Sequence, residues 1–76
     1  MTGPEAKTHL LNRTPVIHNG ITYSRITAII YRCDADNNIL VSAELLDKNN
    51  HSVIIARLKD VKATDDNQDQ ATANVP

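Results

Sequence analysis

Val41-Ser42-Ala43-Glu44-Leu45-Leu46-Asp47-Lys48-Asn49-Asn50-His51-Ser52-Val53-Ile54-Ile55-Ala56-Arg57-Leu58 is the stretch that decides the fold of this 76-residue chain. Asparagine tolerates positive φ better than any residue except glycine, so Asn49-Asn50 reads as a two-residue hairpin turn. Folding there sets Leu45 opposite Ile54, Ala43 opposite Ala56 and Val41 opposite Leu58. All six side chains then share one face of the ribbon. A slip of one residue would turn that apolar set outward, so turn chemistry and patterning choose the same register.

Working toward the N-terminus, Asp34-Ala35-Asp36-Asn37-Asn38 is rich in side chains that bond back to their own backbone and favour turns. A four-residue loop over Asp34–Asn37 places Ile30 opposite Val41, Ala28 opposite Ala43 and Ile26 opposite Leu45. Three strands then stack Ile26/Leu45/Ile54, Ala28/Ala43/Ala56 and Ile30/Val41/Leu58 on the core face, through cross-strand pairs worth about 0.2–1 kcal/mol each. Further upstream, Val16-Ile17-His18 and Ile21-Thr22-Tyr23 flank Asn19-Gly20, a strong hairpin signal. Downstream, Leu58–Lys62 holds a turn and a short closing strand.

The fold class expected is therefore all-β, a small antiparallel meander. Three bent strands, a leading hairpin and a closing strand within about 50 residues resemble an SH3-like small barrel in layout. The chain lacks the ligand-binding aromatics of SH3 domains. An open curved sheet that dimerises is the alternative.

The ends differ in composition from the middle. Residues 1–15 form a polar N-terminal arm, in which Pro4 suits the first turn of a short helix running through Leu11. Such a helix is marginal in water unless it docks, and a loose arm is the competing reading. Residues 16–62 are the expected all-β domain. Residues 63–76 hold Asp65, Asp66 and Asp69, no basic residue and almost nothing apolar, and read as a disordered acidic tail. The net charge is −1; setting aside the three tail aspartates leaves residues 1–62 at +2.

Composition narrows the functional classes. With no tryptophan, no phenylalanine and two tyrosines, the core must be aliphatic and thin, with little room for an enclosed substrate pocket. Cys33 is the only cysteine, which excludes an internal disulfide and a cysteine-based zinc cluster. His9, His18 and His51 are widely spaced, and zinc needs three or four convergent ligands. The run Asp34–Asn38 imitates the start of a calcium loop, but Ile39 stands where glycine is required and Leu45 where a bidentate glutamate is required. No phosphate loop, dinucleotide fingerprint or serine elbow occurs. Neither a metal nor a cofactor is expected, and the chain does not read as an enzyme. Residues 1–16 carry no signal-peptide pattern and no stretch reaches the roughly 20 apolar residues of a membrane span, so a small cytoplasmic bacterial or phage protein is the expectation.

The second sheet face carries the functional clue. The expected registers place Ile29, Tyr31, Leu40, Leu46, Val53 and Ile55 there, beside Arg25, Thr27, Ser42, Glu44 and Arg57. A half-solvated sheet should be polar on that side. Either strand bending buries these side chains in a closed barrel, or Ile29, Tyr31, Glu44, Ile55 and Arg57 form a patch for a protein partner or a second copy. A non-enzymatic protein-interaction module, accessory or inhibitory, is the leading reading. The alternative is a small barrel for single-stranded nucleic acid, with Arg25, Arg32, Lys59 and Lys62 on phosphates and Tyr23 stacking on a base.

Overall fold

Six short strands and one helix make up the computed structural model, which describes residues 1–64. The order is α1 (Gly3–Asn12), β1 (Val16–His18), β2 (Ile21–Tyr23), β3 (Arg25–Cys33), β4 (Ile39–Leu46), β5 (Val53–Arg57), a 3-10 turn (Leu58–Asp60) and β6 (Val61–Ala63). The strands fall into two antiparallel three-stranded sheets, β2-β1-β6 and β3-β4-β5. The fold is mostly β, as expected, and the short N-terminal helix that Pro4 suggests is present.

The barrel does not close. β2 and β3 are nearly continuous in the chain, yet they belong to different sheets, joined at Ser24, whose N–H donates to Leu46 O at 2.8 Å. At the other seam β5 ends at Arg57, where the chain tightens into the 3-10 turn before β6 returns to β1. Both ladders stop at these corners, which leaves β5 and β3 as edges of the larger sheet.

Local chemistry accounts for the hairpins. Asn19 and Gly20 take φ of 53° and 75°, and β1 pairs with β2 through Val16–Tyr23 and His18–Ile21. Positive φ at both central residues is the primed turn that matches strand twist. In the β4–β5 hairpin the pairs Leu45–Ile54 and Ala43–Ala56 form as the sequence predicts. Its turn is longer than two residues. Asn50, at φ 59°, donates to Asp47 O at 3.1 Å, and Asp47 N–H donates to Ser52 O at 3.0 Å. Leu58 leaves the ladder for the 3-10 turn but stays buried.

The β3–β4 register departs from expectation by one residue. Its loop has three residues, because Asp34 N–H donates to Asn38 O at 2.9 Å and Asn37 adopts φ 65°. A type I turn followed by a left-handed residue is the usual three-residue hairpin loop. The partners therefore become Ala28–Glu44, Ile29–Ala43, Ile30–Ser42 and Tyr31–Val41. A bulge between Ile26 and Ala28 absorbs the extra residue, so Ile26 still faces Leu45. The middle core row is Ile29/Ala43/Ala56 rather than three alanines.

α1 forms and docks. Thr2 is its N-cap: Thr2 Oγ1 accepts from Glu5 N–H at 3.2 Å while Thr2 N–H donates to Glu5 Oε1 at 2.8 Å. This capping box satisfies two N–H groups that the first turn would otherwise leave unpaired. Ala6 is fully buried, and α1 packs against β3. Together Ala6, Val16, Tyr23, Ile26, Ala43, Leu45, Ala56, Leu58 and Val61 form one core cluster between the two sheets and the helix. Ala63 and Thr64, which composition assigns to the tail, lie in β6 and in a buried position respectively. The rest of the expected tail, 65–76, is outside the described residues. No helix among the described residues is long and apolar enough to cross a membrane.

Candidate functional site

β5 presents its alternating residues to two different environments. Ile54 and Ala56 face the core opposite Leu45 and Ala43, so Val53, Ile55 and Arg57 stand on the outer face. Val53 is 45% exposed and Ile55 54%, beside an exposed Arg57. Ile55 is paired across the ladder with Glu44 on β4. The Glu44 carboxylate accepts from Thr27 Oγ1 at 2.8 Å, which holds it over the bulged part of β3.

The backbone of β5 follows the same alternation. Asp47 N–H bonds to Ser52 O, and Leu46 O receives Ser24 N–H from the opposite side. Odd-numbered residues of β4 thus address β5, and even-numbered residues of β5 answer them, because main-chain groups of an antiparallel strand alternate in direction. The N–H and C=O groups of Val53 and Ile55 and the N–H of Arg57 therefore point to the open edge, while the Arg57 C=O accepts the first bond of the 3-10 turn that follows. β5 is the end strand in the order β3-β4-β5. It carries no proline, no lysine and no bulge, which are the usual protections of an exposed edge. The opposite edge, β3, is protected by its bulge and by α1 lying against it.

The five residues expected to form a partner patch are divided by the register change. Glu44, Ile55 and Arg57 share the outer face, whereas Ile29 and Tyr31 are turned to the core side, where they line a shallow groove of about 600 Å³ with Gly3, Pro4, Lys7 and Leu10 of α1. Tyr31 remains 65% exposed at the end of that groove. Their places on the outer face are taken by Ala28 and Ile30.

The candidate nucleic-acid residues are also dispersed. Tyr23 is a core residue, 8% exposed and paired with Val16, so its ring face is not open for stacking. Arg25 and Arg32 lie at opposite ends of β3, about 23 Å apart at strand rise. Lys59 and Lys62 line a separate groove with Ile17, Asn19, Gly20 and Asp60.

Other chemistry-bearing residues are engaged in turns. Asp34 Oδ1 accepts from Asp36 N–H at 2.8 Å and Asn38 N–H at 2.9 Å. The bond from Asn38, then that from Asp36, holds the carboxyl below its usual range. Asp47 is lowered in the same way, chiefly by the N–H of His51. His9 Nδ1 is hydrogen-bonded to Thr14 Oγ1. Among the described residues no three His, Cys, Asp or Glu side chains are grouped to hold a metal ion. Cys33 is exposed at the mouth of the Asp34–Asn38 turn.

The open backbone edge is not among the expectations from sequence, and Val53 is there as a second-face residue but not as part of the partner patch. Val53 was legible, since alternation from Ile54 puts it outward, but strand order is not. No protein-family model, curated protein or solved structure matches the chain.

Proposed function

We propose that this chain is a non-enzymatic protein-interaction module that receives an extended segment along the edge of β5. The observation that carries this reading is the coincidence, on Val53, Ile55 and Arg57, of outward main-chain groups and exposed side chains. Strand addition draws affinity from main-chain hydrogen bonds and specificity from alternate side chains. Each such bond contributes about 0.5–1.5 kcal/mol net. Covering the exposed halves of Val53 and Ile55 adds about 1 kcal/mol apiece. Backbone pairing is thus the larger contribution, and Arg57 and Glu44 select for a partner strand of mixed charge.

The test is a titration of the labelled full chain with extended peptides selected against it from a random library. Amide resonances of Val53, Ile55 and Arg57 should move first. Shifts confined to the α1–β3 groove or to the Lys59–Lys62 groove would refute the assignment.

A further inference from the structure

Resting on that reading of β5, we infer that the segment received is β5 of a second copy, laid antiparallel across a two-fold axis at Ile55. The strand is self-complementary in this register. Ile55 pairs with its own symmetry mate, and Val53 of each copy pairs with Arg57 of the other. All three residues take part on both chains: four of the hydrogen bonds use main-chain groups with no other partner, two more share the Arg57 C=O with its 3-10 turn, and two three-stranded sheets join into one of six.

Charge placement favours this register over its neighbours. With strands about 4.8 Å apart and residues about 3.4 Å apart along them, the two Arg57 Cα atoms are about 14 Å apart, as are the two Glu44 Cα atoms. Each Arg57 is nearer to both glutamates, about 8 Å from its own and about 12 Å from the other copy's. Sliding by two residues toward Arg57 brings the two arginines from about 14 to about 8 Å while moving each only about 2 Å nearer the other copy's Glu44, and leaves two bonds that do not share the Arg57 C=O instead of four. Sliding the other way keeps four such bonds but takes Arg57 off the ladder and to about 17 Å from the other copy's Glu44. A head-to-tail pairing of β5 with β6, an edge of the smaller sheet on which Val61 O already accepts from the Met1 ammonium at 3.2 Å, meets Lys62 on a strand of three residues, next to Lys59. Basic groups would then oppose basic groups along a shorter ladder. The outer face of the two-fold pair instead carries an uninterrupted apolar strip, Leu46, Val53 and Ile55 from each copy, ringed by Arg57 and Glu44.

The experiment combines light scattering across a concentration series of the full chain with isotope-filtered NMR on a half-labelled mixture. Val53 and Arg57 of one chain are about 13 Å apart along β5, so a contact between their side chains arises only between copies. The expected result is a reversible dimer that shows this contact, with Ile55→Lys weakening association about 100-fold by setting like charges opposite each other. If Ile55→Lys does not fold, the contact in the unaltered chain decides. A dimer without the contact, or a ring or larger assembly, overturns the two-fold β5 pairing. A monomer at all concentrations whose β5 amides still respond to selected peptides overturns the second copy as occupant and leaves the edge assignment standing. A monomer with no response at β5 removes both.

Discussion

Asn37 is the residue on which the β3–β4 register turns, and replacing it tests the architecture most directly. It sits at φ 65° and donates to Asp34 O at 3.0 Å, closing a loop one residue shorter than a four-residue loop over Asp34–Asn37. The left-handed conformation costs an ordinary L-residue about 1–2 kcal/mol, of which asparagine avoids a part. Asn37→Ala should therefore destabilise the chain by about 1 kcal/mol, which for a domain of this size lowers the melting temperature by about 4–8 °C. Asn37→Gly relieves the conformational cost but adds about 0.5–1 kcal/mol of unfolded-chain entropy, so it should stay close to the unaltered protein. The alternative register is not a refuge for the alanine variant, because it would turn Ile29 outward, away from Ala43. Urea unfolding followed by circular dichroism, at concentrations low enough to keep the chain monomeric, measures the three stabilities. Cross-strand contacts between Ile29 and Ala43 report the register. Equal midpoints for the alanine and glycine variants would refute a left-handed residue 37, and with it the three-residue loop.

Two further outcomes follow from the same structure. Leu45 is fully buried between Ile26 and Ile54, so Leu45→Ala should cost about 2–5 kcal/mol, a large part of the stability of so small a domain, whereas Ile55→Ala should cost under about 1 kcal/mol in the monomer; similar losses in urea for both would contradict the assigned faces of the sheet. Acid stability tests the turn carboxylates. Asp34, Asp47 and Glu5 have folded-state pKa values held below ordinary values of 3.8, 3.8 and 4.5 by bonds from Asn38, His51 and Thr2 N–H groups. A folded pKa below the unfolded one means the unfolded chain binds more protons, so this stabilisation is complete above the ordinary carboxylate range and lost as pH falls through it. Melting temperature should be flat above pH ~5 and fall below pH ~4, less steeply in the Asp34→Asn, Asp47→Asn double variant. A melting temperature that rises on acidification would contradict these hydrogen bonds.

Legibility of the site was partial, and the reasons are physical. Glu44, Ile55 and Arg57 were readable as neighbours because the β4–β5 pairing is short-range and set by patterning on both strands. Ile29 and Tyr31 were misplaced because one residue of loop length inverts every side chain beyond it, and three- and four-residue loops are both compatible with Asp34-Ala35-Asp36-Asn37. Thr2 and Glu5 carried a readable sign of the helix, the spacing of a capping box just before an apolar-spaced run. Tyr23 shows the limit of composition: a tyrosine beside basic residues looks available for stacking until burial claims it.

The amino-acid sequence by itself determined the all-β class, the Asn19-Gly20 hairpin, the pairing of Leu45 with Ile54, and the division of β5 into an inward and an outward set. These depend on turn residues and on side-chain alternation, which act between neighbours in the chain. Only the tertiary structure decided that the sheet opens instead of closing, that a bulge near Thr27 compensates a shorter loop, that α1 covers β3, and that β5 is left as a bare edge. Strand order and coverage are settled by how distant segments pack against one another, and no local propensity encodes which strand will be left without a neighbour.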